Sequence, residues 1–308
     1  MKRVLLFSSI FMMAAAMNAW ADACAKDTTY GAIKVETVEG NCVATLDPDD
    51  TTSVDIPDDV AFDQFVYDRN FKTDSYVSQG NVAGPTILTV CLPFAGKYAG
   101  TSLFRIVGIV KHDYDNGYSI TTDAVDNTND VFEAGVPYFS IANSETVTFT
   151  PTSPINTSSL SPVTFGTNNE WEFRGTYNYK KWEEGDSQIG HVYGFAAKEK
   201  DNVKAGQFVK VKAGAFIKPM RAYLYYNKKA LARRGALAKA TDDEDLPSTI
   251  EVVFKDKNGV IASIHRMDPV TGAITPVEGW YDMKGRKLDK KPTLPGTYFN
   301  NGEKVIIK

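Results

Sequence analysis

Apolar residues recur at every second position along most of this chain, and that period decides what it can fold into. From Ala32 to Val38 the sequence sets Ile33 and Val35 against Lys34 and Glu36. It turns at Glu39-Gly40-Asn41 and returns from Cys42 to Leu46. Successive side chains of a strand point to opposite faces, so this is the pattern of a hairpin with one buried face. Phe62–Tyr67 is another strand-like run. Leu103–Val110 faces Tyr118-Ser119-Ile120 across Asp115-Asn116-Gly117, and Asn-Gly is a strong hairpin turn. Further strand-like runs are Glu133–Phe139 (entered by a turn), Thr146–Phe149, Trp171–Tyr179, Val192–Phe195, Gln207–Val211 and Met220–Tyr225. Residues 150–169 are rich in Pro, Ser, Thr and Asn and read as a long loop or a loosely paired edge. The expected fold is all-β: an antiparallel β-sandwich or barrel-like domain over residues 22–227, followed by a small C-terminal β domain.

The character changes at Lys228. Residues 228–248 carry a basic, alanine-rich block and then Asp242-Asp243-Glu244-Asp245. Opposite charge blocks without large apolar side chains read as a solvated linker. Strands resume at residue 249, so the C-terminal domain is expected over 249–308. It would open with a hairpin of Ile250–Phe254 and Val260–Ile264 around Lys257-Asn258-Gly259.

The first residues have a different use. Met1-Lys2-Arg3 is a short cationic start, Val4–Ala21 is uncharged and apolar, and Ala19-Trp20-Ala21 ends in small residues. That is the pattern of a cleaved secretory signal over residues 1–21. Cys24 follows Ala21-Asp22-Ala23, where an acidic residue stands against a lipoprotein cleavage box. No other apolar run approaches membrane length, so no stable transmembrane segment is expected after cleavage. Without Lys2 and Arg3, 32 basic residues face 38 acidic ones, a charge of about −6. That balance argues against a nucleic-acid partner.

Export exposes the cysteines to oxidation. Cys24 and Cys42 flank the first hairpin and could pair, whereas Cys91 lies in the apolar run Thr86–Leu92 and reads as a small core residue. No Cys-x-x-Cys spacing points to zinc. His112, His191 and His265 are far apart and in different elements. There is no Gly-x-Ser-x-Gly elbow and no phosphate-binding glycine loop. Asp113–Gly117 fits a hairpin turn better than a calcium loop. A pair of catalytic carboxylates is a spatial feature, so the sequence nominates none. No catalytic, cofactor-binding or metal-binding residue is therefore assigned, and no cofactor.

Aromatic residues are the remaining candidates. Trp171, Phe173, Tyr177 and Tyr179 share one face of a strand, with Glu172, Arg174, Asn178 and Lys180 on the other. That face belongs to a core. Trp182, beside Lys181 and Glu183-Glu184, falls outside the alternation and is expected as an exposed ring. It is the candidate ligand contact, with a glycan as the ligand class.

The tail carries an ordered set of short motifs. Tyr281-Asp282-Met283-Lys284-Gly285-Arg286 comes first, then Gly296-Thr297-Tyr298, then Lys304-Val305-Ile306-Ile307. This resembles the C-terminal sorting domain of type IX (Por) secretion substrates, on Tyr281, Asp282, Gly285, Arg286, Gly296, Tyr298, Lys304, Val305 and Ile307. The resemblance implies recognition by the secretion machinery through the C-terminal domain. It also implies passage through the periplasm to the cell surface or the medium. Four segments of the body, Thr89–Phe94, Glu133–Tyr138, Trp171–Tyr177 and Arg221–Leu224, are similar to a β-rich module that precedes such tails in bacterial surface proteins. The expected function is an exported, non-enzymatic surface or secreted module. The alternatives are a cell-surface carbohydrate-binding protein and, third, a glycan hydrolase. N-terminal sequencing of the exported protein should begin at Asp22; a mature chain that keeps Val4–Ala21 would reject the signal peptide.

Overall fold

A computed structural model of the chain describes residues 28–47, 50–54, 56–57, 60–67, 87–111, 117–125, 131–142, 144, 146–197, 206–227, 246–254, 265–267, 274–276, 279–283, 287–300 and 303–307. Strands alone make up its regular structure; no helix occurs among the described residues. In chain order the first are β1 (Thr28–Tyr30), β2 (Ile33–Val38), β3 (Asn41–Leu46), β4 (Gln64–Tyr67), β5 (Ile87–Cys91) and β6 (Gly96–Ala99). β7 (Thr101–Lys111), β8 (Tyr118–Ala124), β9 (Pro137–Ala142), β10 (Thr148–Pro151), β11 (Val163–Phe165) and β12 (Trp171–Thr176) follow. Next are β13 (Lys180–Lys181), β14 (Val192–Ala196), β15 (Gln207–Lys210), β16 (Phe216–Ile217), β17 (Arg221–Tyr226) and β18 (Thr249–Phe254). The last are β19 (His265–Met267), β20 (Ile274–Pro276), β21 (Trp280–Asp282), β22 (Lys287–Leu288), β23 (Gly296–Asn300) and β24 (Glu303–Ile307).

Two sheets build the body. One has six strands in the order β1-β2-β3-β4-β10-β6, and the other has ten in the order β11-β12-β17-β14-β15-β18-β8-β7-β9-β5. Two of the expected hairpins are present. β2 and β3 pair from Ile33↔Leu46 to Val38↔Asn41, around Glu39 and Gly40 at φ 50° and 84°. A two-residue turn with both φ positive matches the twist of the strands it joins. β7 and β8 pair from Phe104↔Ala124 to Lys111↔Tyr118, with a register shift between Ile106 and Gly108. Residues 150–169 hold the end of β10, the short edge strand β11 and otherwise loop. Two neighbouring pairs depart from the antiparallel rule: β3 with β4, and β18 with β8.

The ten-stranded sheet curls. β11 approaches β7, and β5 lies against β12, β14 and β17. Trp171, Phe173, Tyr193, Phe208, Leu224 and Ile250 fill the interior so formed. Phe139 stacks on Phe173 at 5.2 Å and meets Phe208 edge-on at 5.8 Å. Such ring pairs each add about 0.5–1.5 kcal/mol beyond their burial. A second core, with Phe65, Tyr67, Leu88, Val90, Tyr138 and Phe149, lies between the six-stranded sheet and the β5–β9 wall. β9 serves both cores, through Tyr138 in one and Phe139 in the other, and all five residues of its neighbour β5 are buried.

One seam holds the curl shut, and it gathers the four body segments singled out above. The Thr89 hydroxyl accepts the Ala222 N–H at 3.0 Å and donates to the Ala222 carbonyl at 3.0 Å. The Cys91 N–H donates to the Met220 carbonyl at 3.1 Å, and the Gly135 N–H to the Leu92 carbonyl at 2.7 Å. Gly175 makes the approach feasible, since a Cβ there would lie 2.1 Å from Cys91 Sγ. The Tyr67 hydroxyl donates to the Met220 carbonyl at 3.3 Å. Burial pushes that phenol up to about 12, with the Arg221 cation opposing. Cys91 is free and buried, as expected of a small core residue. Burial pushes its thiol far up, which removes it as a nucleophile. Cys42 is disulfide-bonded; its expected partner Cys24 lies outside the described residues.

The domain boundary expected at residue 249 is corrected. β18 is an inner strand of the body, antiparallel to β15 through Phe208↔Ile250 and parallel to β8 through Val252↔Ile120. Ile250 is fully buried in the interior of the curled sheet, and the Phe254 ring sits 5.5 Å from Phe139. Charge blocks suggest a linker, but the strand that follows them returns to fill the sheet. Leu246 packs on the same interior, and the Pro247 carbonyl accepts the Tyr193 hydroxyl at 2.8 Å. Residues 228–245 and the returning run 260–264 lie outside the described residues. The small sheet begins only at β21, in the order β22-β21-β23-β24. Two truncations separate these boundaries. Ending the chain after Phe254 should leave the body's cooperative melting intact. Ending it after Ser248 should lower the melting temperature by more than about 10 °C, because two buried aliphatic side chains and a central strand are lost. Equal melting of the two would show β18 to be dispensable.

Candidate functional site

Trp182 is not the exposed ring expected of it. It is 1% exposed, because β13 and β16 fold back over the outer face of β14 and β17. Its ring packs with Val192, Val211 and Tyr223, meeting Tyr223 edge-on at 5.5 Å. Its indole N–H donates to Gln188 Oε1 at 3.1 Å, and Lys180 Nζ donates to the same oxygen at 2.6 Å. Its backbone N–H donates to the Ala215 carbonyl and its carbonyl accepts the Gly214 N–H. The charged neighbours that suggested exposure face outward, while the tryptophan alone turns in. A buried Trp whose N–H is satisfied is an anchor rather than a ligand contact.

Of the face containing Trp171, Phe173, Tyr177 and Tyr179, the first three rings are buried and Tyr179 is half-buried. On the opposite face, Arg174 bonds Glu172 at 2.7 Å and lies 3.8 Å over the Tyr225 ring. Glu172 also accepts from Asn227 Nδ2 at 2.6 Å. These charged groups are thus committed to one another. His191 stacks on Tyr226, His112 lies outside the described residues, and nothing is described of the His265 side chain. Among the described residues no three His, Cys, Asp or Glu side chains gather as metal ligands would. No helix there is long and apolar enough to cross a membrane.

The tail motif falls on the small C-terminal sheet. Register pairs Asp282 with Tyr298 and Tyr298 with Val305, so one residue from each motif block stands in a single cross-strand row. The adjacent row is Tyr281↔Phe299↔Lys304. Tyr281 and Phe299 are buried, and the members of the first row are half-buried. Gly285 and Arg286 lie outside the described residues. The Gly-x-Tyr element has a local reason. Gly296 and Tyr298 share a face two residues apart, and a Cβ at 296 would come 3.2 Å from the Tyr298 ring. The ring therefore lies over the glycine, and its hydroxyl donates to the Leu294 carbonyl at 3.1 Å. Leu294, Met283 and Ile306 are three of the eight large hydrophobic side chains exposed among the described residues. Ile306 pairs with Thr297 and so faces away from the Tyr298–Val305 row.

Comparison with known proteins found no matching family model, no matching curated protein and no matching solved structure. The fold and the candidate sites therefore rest on this chain's own residues, and they define an all-β protein with a curled body and a small terminal sheet.

Gly296→Val should displace the Tyr298 ring and break its bond to Leu294. Hydrogen exchange at the Tyr298 and Val305 amides should then quicken by about fivefold or more, with Gly296→Ala between. Unchanged protection in Gly296→Val would mean that the ring does not order this sheet.

Proposed function

We propose that this chain is an exported, non-enzymatic surface or secreted β module whose C-terminal sheet is an address for type IX-like secretion. The observation that carries this reading is the row Asp282–Tyr298–Val305. Motif blocks that are separate in sequence stand side by side, so a receptor meeting that face meets all three together. Met283, next to Asp282, and Leu294, whose carbonyl accepts the Tyr298 hydroxyl, are exposed apolar side chains beside members of that row. The leader over residues 1–21 supplies the first step, into the periplasm, and the tail sheet the second, to the surface or the medium.

The inclusion of β18 in the body defines which segment to test. Residues 265–308, fused behind an unrelated periplasmic protein in a host with type IX machinery, should carry it to the surface or the medium. The same fusion with Tyr298→Ala and Val305→Asp should stay in the periplasm. A fusion that remains periplasmic with the unaltered segment would overturn the proposal.

A further inference from the structure

We propose that the outward face of the β13–β16 hairpin binds a neutral saccharide, with Phe216 and Tyr179 as the stacking surface and Lys181 and Glu183 as hydroxyl partners. This is independent of the export reading. Register assigns the two faces of the hairpin. Lys181 pairs with Phe216 and Lys180 with Ile217, so Tyr179, Lys181 and Phe216 share one face while Lys180, Trp182 and Ile217 share the other. The second face is turned onto the body, where Ile217 packs with buried Trp182. The first is turned to water. Phe216 is 53% exposed, the only aromatic among the large hydrophobic side chains exposed in the described residues. Its ring is held against half-buried Tyr179, centroids 5.6 Å apart and planes 32° apart. On the same side Lys181 Nζ and Glu183 Oε1 form an ion pair at 2.8 Å, with side chains 43% and 68% exposed.

That combination favours one class of ligand. A sugar ring offers C–H groups on its face and hydroxyls around its rim. Aromatic faces accept the first, and an ammonium beside a carboxylate can donate to and accept from the second. The ion pair is neutral as a whole, which selects an uncharged sugar over an acidic one. Two rings are too little apolar surface for a protein partner, whose interface buries on the order of 800 Å² per side. The platform is also pre-set. The anchoring of Trp182 to Gln188, Ala215 and Gly214 fixes the hairpin before any ligand arrives, so little ordering entropy remains to be lost on binding. Trp182 is in this sense a positioning residue, and the rings that meet the ligand are Tyr179, three residues before it, and Phe216, opposite Lys181 on the partner strand.

Isothermal titration of the mature chain with cellohexaose, xylohexaose, mannohexaose and chitohexaose tests the proposal. At least one sugar should bind. Phe216→Ala and Tyr179→Ala should each weaken that binding by about tenfold, and Phe216→Trp should hold it within about threefold. Thermal melting of Phe216→Ala should match the parent, because the ring is exposed. Ile306→Ala, on the tail, should bind as the parent does. No binding to any of the four sugars, or binding that survives Phe216→Ala, would overturn the proposal.

Discussion

The hydroxyl of Thr89 is the stitch on which the body depends. A curled sheet must meet itself somewhere, and the backbone groups at that meeting are buried and must be bonded. Here strand β5 crosses β17 side-on, out of ladder register. Thr89 supplies through one oxygen both the donor and the acceptor that Ala222 needs. The approach is close enough that only a residue without a Cβ fits opposite Cys91, and Gly175 is that residue. A small buried thiol and a glycine, unremarkable apart, are complementary across this seam. Leu88 and Val90 of β5 pack in the core beside the six-stranded sheet, while Thr89 and Cys91 meet β17 and β12, whose Leu224 and Phe173 line the aromatic interior, so the same contact ties the two cores together.

The outer hairpin obeys the same economy. Curling leaves the outer face of β14 and β17 with Val192, Tyr223 and Tyr225 to cover, and β13 and β16, with Trp182, Ile189 and Ala215 beside them, fold back to do so. Trp182 is the side chain large enough to close that gap, and Gln188 satisfies its only polar atom. Turning Trp182 inward obliges its strand neighbours to turn outward. The exposure of Phe216 and Tyr179 is in that sense the counterpart of a buried tryptophan.

The terminal sheet is locally determined. Its strands are short and adjacent, and the spacing of the motif follows from the pleat. A ring two residues after a glycine lies over it, and the partners across the ladder fall opposite the next block. A motif of this kind is readable from sequence because each element is made within a few residues.

That contrast runs through the whole chain. Period two, the glycine turns and the apolar runs, all local quantities, by themselves determined that the chain is all-β. They located the β2–β3 and β7–β8 hairpins, buried Trp171 and Phe173, made Cys91 a core residue and placed the tail motif on strands. Tertiary structure alone decided three things. Strand β18 left the tail for the middle of the body sheet, because both its edges could be paired there and Ile250 buried. Trp182 turned inward, because a strand of two residues has no alternation to read and the bare outer face of the curled sheet needed a cover. Thr89, Gly175 and Ala222 became the seam, because a contact between residues more than eighty positions apart leaves no period and no spacing in the sequence. Local hydrophobic pattern records which face of a strand is dry, whereas the partner of that face is chosen by how the whole sheet closes.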